Sequence, residues 1–150
     1  MREILFRGKP INNGKFVFGC YYKQSEFYGD KVDDHIIIKS HEDLSFDQAL
    51  DYFEVQPETV GQYTGLTDKN GKKIFEGDIV HVLGNQQVED WKNVNYIGSV
   101  AFLDAGFCVI DGTVEEHGFR RYGLPRLDFD LEVIGNIHDN PELLKCDAED

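Results

Sequence analysis

The amino-acid sequence predicts a mainly β protein with one short helix, in which an N-terminal β-hairpin and helix part precedes a small closed or nearly closed β-barrel. Asn-Gly pairs stand between short runs of β-branched and aromatic residues, as tight hairpins require. A single mid-chain stretch has the spacing of an amphipathic helix. We therefore divide the chain into an N-terminal part, residues 1–56, a barrel unit, residues 57–145, and an acidic tail, residues 146–150.

The N-terminal part begins with a predicted hairpin and continues with a strand. Residues 12–14 read Asn-Asn-Gly and separate Phe6 from the apolar run 16–18. Because Asn-Gly accepts the positive φ angles of a primed turn, two strands are expected to meet there. Residues 35–39 form a β-branched run, which suits a strand better than a helix.

The helix is predicted to begin at Ser45, where residues 45–48 match the capping box. In this motif the serine hydroxyl accepts from the amide three residues on, and Gln48 reaches back to the serine amide. One face of the predicted helix is apolar and is expected to pack on a sheet; its residues are Phe46, Ala49, Leu50 and Phe53. Pro57 ends this segment and marks the boundary of the N-terminal part.

The second unit is predicted to contain about five short strands and their turns. The apolar runs and hairpins that carry this prediction lie at residues 60–66, 74–82, 98–103, 107–110 and 131–137, with a second Asn-Gly turn at 70–71. Strands at this spacing are typical of a small barrel. Asn140 and Pro141 then have the order of an N-cap and a first helical residue, which predicts a short helical turn at the end.

Composition indicates a chain that folds without disulfides in the cytoplasm. Hydrophobic residues make up 41% of the 150 and aromatic residues 13%, which is enough for a packed interior. No apolar run approaches the roughly 20 residues of a membrane-spanning helix, and the first residues lack the apolar core of a signal peptide. Cys20, Cys108 and Cys146 are widely spaced and form no C-x-x-C pair, which fits a reducing compartment and argues against a zinc site.

The formal charge of −13 disfavours binding to nucleic acid, because such binding depends mainly on lysine and arginine displacing counterions from phosphates. The charge is uneven. Residues 1–30 are slightly basic, whereas 31–56 and 124–150 hold most of the excess acid. We interpret the acidic end of the chain as a solvated tail.

The sequence contains none of the motifs expected of an enzyme or a cofactor site. It has no G-x-S-x-G elbow, no Walker loop and no G-x-G-x-x-G. The histidines lack H-x-x-H or H-E-x-x-H spacing; they are His35, His41, His81, His117 and His138. We therefore predict a protein without catalytic residues, cofactor or metal.

Three stretches of the sequence resemble signatures of the YopX family of phage and prophage proteins. Residues 63–80 read YTGLTDKNGKKIFEGDIV and look like its central signature. Residues 133–144, VIGNIHDNPELL, resemble the closing signature, and 6–9 with 14–19 resemble the opening one. The resemblance spans residues 1–144 and implies a second unit similar to an SH3-type β roll. It implies no activity and no catalytic residue.

Three functions stay open, of which self-association through aromatic surfaces is preferred. Small β units have exposed edges and faces, and Tyr21, Tyr22 and Trp91 suit interface anchors. Since Tyr21 and Tyr22 alternate across a strand, at least one of them must face away from the core. The acidic charge permits a second function, binding to a basic host protein as a mimic of DNA.

The third function is nucleic-acid binding by the small barrel. It would use Arg120 and Arg121 beside Tyr122, since basic residues interleaved with aromatic ones contact phosphates and stack on bases. The basic residues of the central signature would extend this surface; they are Lys69, Lys72 and Lys73. The overall charge argues against it, so the predicted partners are a second copy of the chain or another protein rather than nucleic acid or a membrane.

Overall fold

The computed structural model describes residues 3–11, 14–25, 33–40, 50–103, 106–111, 121–123 and 129–144. These residues form strands with only two single turns of 3-10 helix, at Pro57–Thr59 and Pro141–Leu144. The strands are β1 Phe6–Gly8, β2 Val17–Ser25, β3 Asp33–Ser40, β4 Leu50–Glu54, β5 Gly61–Thr67, β6 Lys73–Phe75, β7 Asp78–Gly84, β8 Asn95–Leu103, β9 Gly106–Asp111, β10 Arg121–Gly123 and β11 Phe129–Asn136. The predicted mainly β class is confirmed.

The chain consists of two compact units, Met1–Tyr63 and Thr64–Asp150. The division falls inside β5, a few residues after the domain boundary expected at residue 56. The acidic tail, residues 146–150, lies outside the described residues.

In the first unit the antiparallel strands follow the order β4-β3-β2-β1-β5. β1 pairs with β2, with Phe6 opposite Gly19 and Gly8 opposite Val17. The predicted meeting of these strands is confirmed, although Asn12 and Asn13 of the predicted turn lie outside the described residues. After β1, Pro10 forms a bridge with Val55, which follows β4.

The helix predicted from Ser45 is not confirmed, and over Leu50–Phe53 the prediction is wrong. Residues 45–49 lie outside the described part of the chain, but Leu50–Glu54 is strand β4, paired with β3. Tyr52 lies opposite Ile38 and Phe53 opposite Ile37. Aromatic and β-branched residues pair well across strands, so pairing with a remote strand outweighed the local helical spacing.

In the second unit the strand order is β10-β9-β8-β7-β11, and the last four residues of β5 lead to β6. The predicted hairpin of β8 and β9 and the predicted final strand are present. β10 and β11 stand at opposite ends of this order, and no pairing between them closes the sheet in the part of the chain that the structure describes. The expected SH3-type barrel is therefore not confirmed.

The core of the second unit follows from alternation along β7, where Val80 and Val82 are fully buried and His81 between them is only half-buried. Residues of four other strands, β6, β8, β9 and β11, belong to the same buried cluster, which is Ile74, Val80, Val82, Val100, Val109 and Phe129. Complete burial of such a side chain stabilises the fold by about 1.5–3 kcal/mol.

Candidate interaction surface

One face of β2 exposes apolar side chains in a row. Phe18 is 45% exposed, Tyr22 is 55% exposed, and Cys20 between them is also exposed. Alternate residues of a strand share a face, so these three form one line, which we call the aromatic stripe. β2 lies between β1 and β3, and the stripe is therefore on the surface of the sheet and not at its edge.

Two basic side chains and an aromatic ring fix the start of this strand. The Arg7 guanidinium lies 4.2 Å from the centre of the Phe16 ring, and the Lys9 ammonium lies 5.0 Å from it. Lys9 Nζ also donates to the Gly14 carbonyl at 2.9 Å. Both basic residues are buried, and cation–π contacts of this kind contribute about 1–2 kcal/mol when desolvated. Positive charge therefore lies beside the stripe.

On the other side of the stripe, the backbone register continues the apolar sequence. Ile38 of β3 is the register partner of Cys20, and Ile36 is the partner of Tyr22. Tyr52 of β4 in turn lies opposite Ile38. Directly opposed residues of antiparallel strands are close neighbours, so the row through Cys20 is apolar across three strands, whereas the row through Tyr22 and Ile36 ends at Glu54 on β4.

Tyr21 and Tyr22 of the predicted surface differ in exposure, as expected for neighbouring residues of a strand. Tyr22 is exposed, whereas Tyr21 is half-buried and its ring centre lies 5.5 Å from that of Phe6. Sequence reasoning missed Phe18 and Cys20. Apolar residues occur at every second position from Phe16 onward, a pattern that places them on one face of a strand. The pattern did not show which face is exposed, because the residues between them are largely apolar too.

Trp91 packs on the second unit. Its ring meets the Phe129 ring edge-on, with 5.3 Å between their centres, and it contacts the buried core cluster. The loop that carries Trp91 is closed by a hydrogen bond in which the Gly84 amide donates to the Val94 carbonyl at 2.8 Å. Trp91 thus completes the core of this unit, and its role in an interface stays a prediction.

The basic surface predicted for nucleic acid is described only in part. Arg120 lies outside the described residues. Arg121 and Tyr122 belong to β10, where their backbones lie opposite Ile110 and Val109. Lys69, which was expected to extend this surface, forms an ion pair of 3.2 Å with Glu132.

Asp68, in the second Asn-Gly turn, binds three backbone amides and is only 7% exposed. Its Oδ1 accepts from Asn70 and Lys72, and its Oδ2 accepts from Val133 of β11, each at 2.9 Å. The Lys69 amide also donates to the Leu131 carbonyl at 2.9 Å. The turn therefore covers part of the edge of β11 that β7 leaves open.

These contacts change the acidity of Asp68. Burial raises the pKa of its carboxyl, but the three amides and the charge of Lys72 lower it more, so its pKa lies below the ordinary value of 3.8. Gly71 completes the turn at φ +81°, in the region that glycine enters without strain. Both oxygens of the Asp68 carboxylate accept hydrogen bonds from backbone amides. We therefore assign this carboxylate a structural role.

Asp78 plays a similar part in the turn from β6 to β7. Its Oδ2 accepts from the Phe75 amide at 2.8 Å, and Gly77 between them has φ +90°. The Gly77 amide donates to Val100, and its carbonyl accepts from the Ile137 amide. Both buried carboxylates of the central signature therefore hold turns in place.

The described residues contain no group of three histidine, cysteine, aspartate or glutamate side chains placed to hold a metal ion. His81 Nε2 lies 2.7 Å from Asn95 Oδ1, which is a single hydrogen bond of the kind expected for a surface histidine. Within the same described ranges, no helix has the length and apolar character needed to cross a membrane.

Comparison with known proteins relates both units to one family. The family model described as YopX protein matches residues 6–145. The crystal structure of protein yopX from Bacillus subtilis has a TM-score of 0.53 and 19% identity, covering 94% of this chain and 98% of its own. A crystal structure of a protein from Enterococcus faecalis has a TM-score of 0.46 and 23% identity, covering 97% of this chain and 100% of its own. No curated protein sequence matches. The likeness to the Bacillus subtilis structure shows a shared fold.

Proposed function

The chain belongs to the YopX family, and from that premise we propose that it is a non-enzymatic interaction module that associates with further copies of itself in the bacterial cytoplasm. The observation that carries this proposal is the aromatic stripe on β2. A solvated sheet face normally alternates to polar residues, whereas this one alternates to Phe18, Cys20 and Tyr22. The exposed thiol of Cys20 fits a reducing compartment.

The exposed area of the stripe limits the free energy of association that it can contribute. Phe18 and Tyr22 each keep about half of their surface in water, which is roughly 100 Å² per ring. At about 25 cal/mol per Å², covering each ring contributes about 2–3 kcal/mol. Association costs about 4–15 kcal/mol in lost freedom, so the rest of the contact must add to the two rings. We expect association that is measurable and depends on concentration.

The experiment is the molar mass by light scattering and sedimentation across a concentration series. Replacing both rings, Phe18→Ser with Tyr22→Ser, should weaken association by more than a factor of ten, since about 1.4 kcal/mol corresponds to that factor. Ile4→Ser is the matched control, because Ile4 is 71% exposed and lies outside the stripe. The control should associate like the original protein. A protein that stays monomeric at all concentrations contradicts the proposal.

A second candidate function is binding to a basic host protein, as a mimic of nucleic acid. The net charge of −13 favours it, because such a field attracts basic partners and speeds their association. Capture of a basic protein that is released by added salt would support this function. Capture that is indifferent to salt would count against it.

A further inference from the structure

The second Asn-Gly pair of the chain, Asn70-Gly71, lies in a turn that several hydrogen bonds close. The Gly71 amide donates to the Asp68 carbonyl at 3.0 Å, and the Asp68 amide donates to the Lys72 carbonyl at 2.7 Å. Asp68 Oδ1 also accepts from the amides of Asn70 and Lys72. Asn70 itself is exposed, so water reaches this turn although its backbone is held in place.

An Asn-Gly pair is the sequence in which asparagine loses its side-chain amide most readily. The glycine nitrogen gives up its proton and attacks the side-chain carbonyl carbon of the asparagine, and the new C–N bond closes a five-membered succinimide ring. The bond from that carbon to the side-chain nitrogen breaks, and ammonia leaves with the proton. Water then opens the ring at either carbonyl, which gives aspartate or isoaspartate. Glycine favours this reaction because it has no Cβ atom beside the attacking nitrogen.

We propose that the hydrogen-bonded turn at residues 68–72 protects Asn70 from this reaction, so that Asn70 is a deamidation site only while the turn is open. The modification is the hydrolysis of a side-chain amide, with water as the co-reactant. The turn lies within a single copy of the chain, so the protection is independent of the self-association proposed above.

Two features of the closed turn oppose closure of the ring. The attacking atom is the Gly71 nitrogen, and its proton is donated to the Asp68 carbonyl, so losing the proton breaks the bond that closes the turn. The same bond makes Asn70 the third residue of a β-turn, a position at which ψ is about 0° in the common turn types. Tetrahedral geometry at Cα then turns the Gly71 nitrogen away from the Asn70 side chain. Because ring closure requires both on the same side, ψ of Asn70 must rotate and the turn must open.

Opening the turn also breaks contacts with a strand that is remote in the sequence. The Lys69 amide donates to the Leu131 carbonyl at 2.9 Å, and Asp68 Oδ2 accepts from the Val133 amide at 2.9 Å. Both partners belong to β11, which is itself paired with β7. The turn is therefore held by the sheet as well as by its own bonds, and its open form is a minor population.

Either product of the reaction weakens the closed turn. In isoaspartate the main chain runs through the side-chain methylene, which lengthens it between residues 70 and 71 and displaces the Gly71 amide from the Asp68 carbonyl. Aspartate instead adds a negative charge near the buried Asp68 carboxylate. The modification thus acts in one direction, because the product favours the open form from which it arose.

The first test compares the reaction rate at Asn70 in the folded protein with the rate in the same protein unfolded by guanidinium chloride, at one mildly alkaline pH. Mass spectrometry of the peptide that contains residue 70 measures the mass change when OH replaces NH2. A reaction that passes through a minor open form slows with the population of that form. We expect the folded protein to react at least about ten-fold more slowly, which corresponds to an opening free energy of about 1.4 kcal/mol. Equal rates would overturn the proposal.

Hydrogen–deuterium exchange of the Gly71 amide tests the cause of the protection in the unaltered protein. The amide that attacks is the one that donates to the Asp68 carbonyl, so its exchange should be slowed together with the reaction at Asn70. If the Gly71 amide exchanges as fast as in an unfolded chain while Asn70 stays unreacted, the protection does not come from the turn and the proposal fails.

Asp68→Ala is the variant that loosens the turn. It removes the carboxylate that binds three backbone amides and keeps the main-chain carbonyl that Gly71 uses. In the folded variant the reaction at Asn70 should be at least about ten-fold faster. Asp130→Ala is the matched control, since Asp130 is an exposed carboxylate on β11, and it should leave the rate unchanged. Circular dichroism checks that both variants fold, and a folded Asp68→Ala that reacts no faster than the original protein would contradict the proposal.

Discussion

Replacing Asp68 by asparagine should destabilise the second unit, and the loss should depend on pH. Asparagine keeps the shape and one acceptor oxygen, which can still serve the amides of Asn70 and Lys72 in the turn. It places an NH2 group where a carboxylate oxygen now accepts from the Val133 amide, 65 residues away. A hydrogen bond to a charged group contributes about 1.5–3 kcal/mol, and a part-buried amide loses its partner. We expect Asp68→Asn to lower the free energy of unfolding by about 2–3 kcal/mol at neutral pH.

The sign of the pH dependence follows from the lowered pKa of Asp68. Because the folded state binds the proton less tightly than the unfolded state, the carboxylate stabilises the fold fully above the ordinary pKa of 3.8. This contribution is lost as the pH falls from there through the folded value. Asparagine does not titrate, so the difference between the two proteins should shrink in acid.

The assay is urea unfolding followed by circular dichroism, at neutral pH and at about pH 3. Asp130→Asn is the matched control, since Asp130 is an exposed carboxylate on the same strand, β11; it should change stability by less than about 0.5 kcal/mol. A loss of less than about 0.5 kcal/mol for Asp68→Asn at neutral pH would contradict the role given to this carboxylate. A loss of the same size at both pH values would contradict it too.

Two further predictions concern close packing and thiol exposure. A Cβ atom on Gly84 would lie 1.9 Å from the Trp91 carbonyl oxygen, so Gly84→Ala should cost about 1–3 kcal/mol and shift the fluorescence of the single tryptophan; unchanged stability and emission would contradict this packing. In a Cys146→Ser background at low protein concentration, a maleimide should label Cys20 rapidly, whereas buried Cys108 should react only on unfolding. Equal labelling rates for the two thiols would contradict their placement.

The candidate surface was only partly predictable from the sequence. Alternation correctly required one of Tyr21 and Tyr22 to face outward, and the exposed one is Tyr22. Phe18 and Cys20 carry the same signal at every second position. Their exposure could not be read from it, because both faces of β2 are largely apolar and only the packing of the sheet decides which face is covered.

The turns of the second unit and the strands beside them could be predicted from local residue patterns. Asn70-Gly71 and the turn before β7 were predictable because a turn is fixed by φ angles and hydrogen bonds within a few residues. Tertiary structure alone decided that Leu50–Glu54 is a strand, since its partner β3 supplies the pairing. It also decided that Asp68 would bind Val133. Contacts between residues distant in the chain depend on how the remaining strands assemble, and no local pattern specifies them.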